Sequence, residues 1–198
     1  GHTLSALLFK EFFDVRKVTI NANTNGAGGY TLFTPKERYQ NYPTKKFMLA
    51  NLIVALGGRA AEKVLYENET DTEKNYLNEL IFPNIKDLDI TTGASNDLKQ
   101  AENIARRYVS LFGLGSNIGL YDNSAPNDTP FLGRDLGTNT DRLSDYTKES
   151  IDREVQNLIT FSYEKAIDII NKNKGSFHTM AELLLEKNTI DSNGINNI

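Results

Sequence analysis

The feature that most limits how this chain can fold is the scarcity of cross-linking and metal-binding side chains. Its 198 residues include no cysteine and two histidines, His2 and His178. The chain therefore has no disulfide, no thiolate nucleophile and no zinc finger, and any catalytic imidazole is one of those two. A site of three histidines is excluded. Hydrophobic residues make up 39% of the chain and there are 5 prolines, which is typical of one compact domain.

The charge of the chain argues against nucleic-acid partners. The formal net charge is -4, and we find no cluster of Lys and Arg that would neutralise phosphates. The longest uncharged apolar run, Phe47–Gly58, is shorter than the roughly 20 residues that cross a bilayer, so no membrane span is predicted. Because the chain starts with Gly1 and shows no signal peptide, we expect it to begin inside a longer protein.

Hydrophobic spacing divides the first third of the chain into a helix, two strands and a second helix. Apolar residues at helical spacing predict a helix over 3–13, and strand-forming residues around an Asn-rich turn predict a strand pair over 15–34. The second helix is predicted over 44–66. It contains Gly57 and Gly58, each costing about 1 kcal/mol relative to Ala, so we expect another part of the chain to approach closely there.

The middle of the chain alternates polar segments with one helix. Residues 67–90 are polar and charge-mixed, apart from a small apolar group, and are predicted to be a surface insertion. Small and capping residues at 91–97 predict the start of a helix that Gly113 ends. Residues 121–143 are rich in Pro and Gly and are predicted to form loops.

The last third of the chain has the clearest helical pattern. A continuous apolar stripe predicts a long helix over 144–172, and Gly175 is expected to separate it from a helix over 177–187. Residues 189–198 are polar and Asn-rich and are expected to form a frayed tail. The predicted fold class is therefore mainly α, with a small N-terminal strand pair and a C-terminal helical hairpin.

Two residues have contexts that point to chemistry. A lone histidine is more often a surface or core residue than a ligand, but Gly1-His2 before an apolar helix matches the end of the zinc motif His-Glu-x-x-His. Asp97 stands in the first turn of a predicted helix, where the dipole stabilises a carboxylate by about 0.3–1 kcal/mol. The residues alone favour a capping role for Asp97 over a ligand role. The Gly-rich run 113–119 follows a helix, so we interpret it as a C-cap and loop and not as a phosphate loop.

Three strings resemble, in order, the peptidase domain of FtsH-type ATP-dependent zinc metalloproteases. They are Leu56-Gly57-Gly58-Arg59-Ala60-Ala61-Glu62, Thr91-Thr92-Gly93-Ala94-Ser95-Asn96-Asp97-Leu98 and Phe131-Leu132-Gly133-Arg134-Asp135. Shorter matches fill the gaps between them, so the resemblance covers essentially the whole of 1–198. The Thr-Thr-Gly-Ala-Ser-Asn-Asp string is the most specific of the matches.

The resemblance implies a site. It makes His2 and Asp97 ligands of Zn²⁺, and Glu62 a residue that orients a ligating imidazole, although a solvated helix glutamate is an equally good interpretation of Glu62. Gly29, Tyr30 and Thr31 resemble the edge strand to which an extended substrate adds, although Tyr30 is equally well an ordinary sheet residue. His178 matches none of the family's ligands and is predicted to be a helix-surface residue.

The chain departs from the family pattern at its start. The family's first histidine and its general-base glutamate correspond to positions upstream of Gly1, so the chain contains no catalytic residue and is expected to be inactive as it stands. We interpret it as a fragment of an active enzyme cut within the motif. The segment 67–90 is a second departure, because it looks longer than the family's usual link.

The resemblance also implies the nature of the parent protein. It would be a membrane-anchored protease with an AAA module that uses ATP and Mg²⁺, assembled as a homo- or hetero-hexamer, degrading unfolded or membrane proteins. The membrane would be the bacterial inner membrane or an organellar one, and the Ala27-Gly28-Gly29 string slightly favours a plastid. The alternative is a non-catalytic assembly or adaptor domain of an AAA ring.

Overall fold

The computed structural model describes residues 1–21, 28–67, 80–83, 88–117 and 143–196. Within them the chain is mainly helical with one small antiparallel sheet, which confirms the predicted fold class. The helices are α1 (His2–Leu8), α2 (Lys45–Glu67), α3 (Ser95–Arg106), α4 (Asp145–Lys172), α5 (Lys174–Lys187) and α6 (Ser192–Asn196). The strands are β1 (Phe13–Thr19), β2 (Tyr30–Pro35) and β3 (Thr189–Asp191).

Helix α2 lies at the centre of the molecule and is packed against α1, α3 and α4. Leu52, Val54, Leu56 and Ala60 on this helix are almost fully buried. Burying a Leu or Val side chain contributes about 1.5–3 kcal/mol, so the apolar stripe of α2 is a major source of stability. The same helix also forms one wall of the site described below.

The sheet has the strand order β2-β1-β3, with both pairs antiparallel. Strand β1 is central, and Val18 faces Thr31 on one side and Ile190 on the other. The pairing of β1 with β2 confirms the predicted strand pair, while the predicted turn at 23–26 lies outside the described residues. Among the described residues β2 has a neighbour on one side only, so it is an edge strand of this sheet.

The first helix is shorter than the predicted span of 3–13. It ends at Leu8, and Phe12 and Phe13 lie in the turn that follows and at the start of β1. Both rings are buried against Phe47 of α2, with centroid separations of 5.8 and 5.4 Å. Aromatic packing and the pairing of β1 therefore outweigh continuation of the helix.

The other predicted helix boundaries are close to those observed. Helix α4 begins where Ser144 accepts a hydrogen bond from the Thr147 N–H at 3.2 Å, and Gly113 adopts a φ of 56° beyond α3 and the turn that follows it. The π-helical turn Arg107–Leu111 lies between α3 and Gly113. The break between α4 and α5 is at Asn173 and not at Gly175, which lies in the first turn of α5.

The prediction of a frayed C-terminal tail is wrong for residues 189–196. These residues form β3 and α6, and Ile190 and Ile195 are buried with Met180 and Val18. The chain turns back at Asn188, which takes the left-handed φ of 59° that asparagine tolerates better than most residues. The hydroxyl groups of Thr19 and Thr189 then hydrogen-bond at 2.7 Å across β1 and β3.

Most of the predicted insertion and loop lies outside the described residues. Of 67–90, the structure describes 80–83 and 88–90 beyond the end of α2, and Leu80, Ile81 and Phe82 are exposed there. Of 121–143, it describes Leu143 alone. The surface position of 67–90 stays a prediction. Among the described helices, none is long and apolar enough to cross a membrane.

Candidate metal centre

His2 is the first residue of α1, and its imidazole is held by α2. The Nδ1 atom lies 2.7 Å from the carbonyl oxygen of Val54. A carbonyl oxygen only accepts hydrogen bonds, so Nδ1 carries the proton and donates it. This fixes the orientation of the ring and, in the neutral imidazole, leaves the lone pair on Nε2, beside Gly58 of the same helix.

Asp97 lies in the first turn of α3 and faces this ring. Its Oδ2 atom is 3.1 Å from His2 Nε2, and the side chains are 27% and 28% exposed for His2 and Asp97. The two predicted ligands, which are 95 residues apart in sequence, are therefore brought together at the surface of the domain.

The contact between His2 Nε2 and Asp97 Oδ2 is favourable only when a positive charge lies between or on these groups. With the Nδ1 proton committed to Val54, Nε2 of the neutral ring and the ionised Asp97 carboxylate are both acceptors, and two acceptors at 3.1 Å repel each other. The contact becomes favourable when the imidazole is protonated or when a cation binds both atoms. Within the described residues, no group of three or more His, Cys, Asp or Glu side chains could hold a metal ion, so this part of the chain offers two ligands.

Glycines allow α1 and α2 to meet at this pair. A Cβ atom added to Gly58 would lie 2.6 Å from His2 Nε2 and 3.3 Å from Asp97 Oδ2, and one added to Gly57 would lie 3.0 Å from Gly1 backbone atoms. The predicted close approach at the paired glycines is confirmed. Gly1 is enclosed as well, and in a polypeptide that begins at Gly1 burial lowers the pKa of the amino group to about 5.

Glu62 forms hydrogen bonds with Thr91 and Arg59, and its role in orienting a ligating imidazole stays a prediction. Its carboxylate accepts hydrogen bonds from the hydroxyl of Thr91 and from Arg59, whose guanidinium also donates to the Thr91 carbonyl oxygen at 2.9 Å. The described group that orients the His2 imidazole is the Val54 carbonyl. A backbone carbonyl has no sequence signal, whereas Arg59 and Thr91 stand inside the two strings that point to the family.

The predicted substrate strand is close to α1. Tyr30 and Thr31 open the edge strand β2, and Gly29 directly precedes it. The hydroxyl groups of Thr31 and Thr3 are 3.1 Å apart, which joins β2 to the residue after His2. His178, by contrast, is exposed on α5 beside Phe177, as predicted.

Comparison with known proteins finds similarity along the whole chain. A family model described as peptidase family M41 matches residues 1–80 and 75–198. The chain is 34% identical over 194 residues to the ATP-dependent zinc metalloprotease FtsH 3 of Synechocystis sp., covering 97% of this chain and 28% of that protein.

Two further relatives give a similar result. The ATP-dependent zinc metalloprotease FtsH of Bacillus subtilis is 34% identical over 200 residues, covering 100% of this chain and 28% of that protein. The chloroplastic FTSH 1 of Arabidopsis thaliana is 34% identical over 193 residues, covering 96% and 24%. The chain thus spans about a quarter of the length of these relatives.

Proposed function

Because the chain belongs to peptidase family M41, we propose that it forms the zinc-dependent peptidase domain of an ATP-dependent protease. The relatives are named ATP-dependent zinc metalloproteases, and the whole chain aligns with part of each of them. The proposed activity is hydrolysis of peptide bonds by a metalloendopeptidase. Its proposed metal ligands in this chain are His2 and Asp97.

The observation that carries the proposal is the pair of facing acceptor atoms. Two ligand atoms bound to one tetrahedral zinc ion at about 2.0–2.2 Å lie about 3.4 Å from each other. Nε2 of His2 and Oδ2 of Asp97 are 3.1 Å apart, which is close to this separation, so these two atoms would suit two ligands of one zinc ion. The imidazole and the carboxylate are also both common zinc ligands, and the ring is already in the required tautomer.

The residues around the candidate metal centre each have a part in the proposed reaction. Zinc supplies Lewis acidity and lowers the pKa of bound water. The Val54 carbonyl holds the His2 ring, and Asp97 lies in the first turn of α3, where the helix dipole favours a negatively charged group. A substrate peptide adds to the exposed edge of β2 at Gly29, Tyr30 and Thr31, beside α1. The remaining ligand and the general-base glutamate are not assigned to any residue of this chain.

The proposal extends to the protein that contains this domain. An AAA module that binds ATP and Mg²⁺ delivers unfolded or membrane proteins, and the assembly is a homo- or hetero-hexamer anchored in a membrane. The relatives include bacterial and chloroplastic proteins, which supports a bacterial inner membrane or an organellar one. The predicted lack of activity of the 198-residue chain alone follows from the general base that it does not contain.

Replacing one ligand in the full-length protein tests the proposal. We expect Asp97→Asn to abolish ATP-dependent casein hydrolysis and to weaken zinc binding measured by chelator competition. Asp145→Asn is the matched control, because Asp145 also lies in the first turn of a helix but is far from His2 in sequence and fully exposed. Equal zinc affinity of Asp97→Asn and the unmodified protein would contradict the proposal, whereas loss in both variants would indicate a helix-dipole effect.

The alternative is a non-catalytic assembly or adaptor domain of an AAA ring. The observation that favours it is that the described residues contain no group of three or more side chains that could hold a metal ion. The two functions differ in one measurement on the full-length protein. Bound zinc together with ATP-dependent proteolysis supports the peptidase, while bound zinc without proteolysis of any substrate tested supports the alternative.

A further inference from the structure

We infer that Thr91 is a positioning residue for the metal centre, clamped by Arg59 and Glu62 of α2 so that Asp97 faces His2. The inference rests on the proposed function and adds residues that do not touch the metal. It gives Glu62 a role through Thr91, and the role of Glu62 toward a ligating imidazole stays a separate prediction.

The clamp consists of two hydrogen bonds to Thr91 and a third contact between the two side chains that make them. Glu62 accepts from the Thr91 hydroxyl, and Arg59 donates to the Thr91 carbonyl oxygen at 2.9 Å. Arg59 and Glu62 also bind each other at 3.3 Å, and their side chains are only 19% and 24% exposed. Both the side chain and the backbone of Thr91 are thus tied to α2; Thr91 itself is exposed, whereas the two charged side chains that hold it are partly buried.

Thr91 passes this constraint on to Asp97 through a short, continuous stretch of helical backbone. Its hydroxyl accepts a hydrogen bond from the Gly93 N–H at 3.2 Å and so caps the 3-10 turn Thr92–Ala94. That turn leads directly into α3, in which Asp97 is the third residue. The hydroxyl donates to Glu62 and accepts from Gly93 at once, so removing it releases both contacts.

Helix α2 holds both proposed ligands. The Val54 carbonyl of α2 binds the His2 ring, which also lies close to the backbone at Gly58. Arg59 and Glu62 of the same helix bind Thr91, at the start of the turn that leads into α3. Val54 and Glu62 are eight residues apart, or about 12 Å along a rigid helix. The separation of Nε2 and Oδ2 is therefore set by two attachments to one element, and loosening the second attachment frees Asp97 to move.

Zinc affinity separates a positioning role from a merely structural one. We would measure it by chelator competition in the full-length protein, together with the visible spectrum of the Co²⁺-substituted protein and the Tm. Thr91→Val removes the hydroxyl at constant volume, and we expect zinc affinity to fall about 10–100-fold with a changed Co²⁺ spectrum. Thr91→Ser keeps the hydroxyl and should bind zinc within about threefold of the unmodified protein.

Ser144→Ala is the matched control. Ser144 also caps a helix with its hydroxyl, at the start of α4, and it belongs to neither α2 nor α3. Its loss should lower the Tm by a few degrees, as Thr91→Val does, without changing zinc affinity. Glu62→Gln gives a second variant, which keeps an acceptor but removes the ion pair with Arg59, and should weaken zinc binding less than Thr91→Val.

Two results would overturn the inference. One is zinc affinity of Thr91→Val within twofold of the unmodified protein, and the other is an equal loss in Ser144→Ala. A failure of the proposed function is distinguishable, because His2→Ala would then leave zinc affinity unchanged. The inference alone fails if His2→Ala abolishes zinc binding while Thr91→Val retains it.

Discussion

We expect the substitution Gly58→Ala to weaken zinc binding while leaving the stability of the domain almost unchanged. The new Cβ atom would lie 2.6 Å from His2 Nε2, which is about 0.8 Å short of ordinary van der Waals contact. The ring cannot retreat freely, because its Nδ1 proton is bound to Val54 at 2.7 Å. Gly58→Ala therefore displaces Nε2 or breaks that hydrogen bond.

The two effects on the free energy of unfolding nearly cancel. Replacing a glycine inside a helix by alanine stabilises it by about 1 kcal/mol, and the weakened hydrogen bond costs about 0.5–1.5 kcal/mol. We therefore expect the Tm to change by at most about 4 °C. A metal site, by contrast, tolerates errors of about 0.2 Å in ligand distance, so a shift of Nε2 several times larger should weaken zinc binding at least about tenfold.

The assay compares Gly58→Ala with Gly175→Ala in the full-length protein. Gly175 is also in a helix, but a Cβ atom there would meet nothing within 4 Å, so this control should keep its zinc affinity. Zinc affinity is measured by chelator competition and the Tm by circular dichroism. The reasoning is refuted if Gly58→Ala binds zinc as tightly as Gly175→Ala, because the ring would then have room that the structure does not show.

Three further predictions concern stability, measured by urea unfolding of the 198-residue chain. Ile190→Ala should lower the free energy of unfolding by about 2–4 kcal/mol, because Ile190 is 4% exposed and is buried with Val18, Met180 and Ile195. The same substitution in a frayed tail would lower it by less than about 0.5 kcal/mol. Ser162→Ala should be neutral or stabilising by about 1 kcal/mol, since the buried hydroxyl has no hydrogen-bond partner among the described residues; a loss above about 1 kcal/mol would contradict this. In a polypeptide with a free amine at Gly1, burial lowers the pKa from 8.0 to about 5, so the unfolded state binds more protons between these values. Stability should then rise by about 3 kcal/mol from pH 5 to pH 8 relative to the acetylated chain, and an identical pH dependence of both chains would contradict the burial of the amine.

The long helices could be predicted because their apolar spacing alone identifies them. Helix α2 begins and ends within one residue of the predicted limits, and Ser144 marks the start of α4. Strand β3 could not be predicted, because three residues are too few for an alternating pattern and Asn188 precedes them. It exists because β1 offers a second edge, which is a tertiary effect.

Some parts of the candidate site could be predicted from the sequence and others could not. His2 and Asp97 could be selected because each stands in a distinctive string, and the structure places their side chains in contact. The partner of the His2 ring could not be selected, since the Val54 carbonyl is a backbone group that any residue would provide. The contacts of Glu62 with Thr91 depend on how α2 and α3 pack, which a local pattern does not encode.

The pairing of β1 with β3 also has a consequence for biosynthesis. Val18 pairs with Ile190, which the ribosome adds about 170 residues later. At 5–20 residues per second this interval lasts about 10–30 s, during which one side of β1 has no strand beside it. The sheet can therefore be completed only after residue 191 has emerged, and until then the unpaired backbone groups on this edge of β1 are open to pairing with other chains.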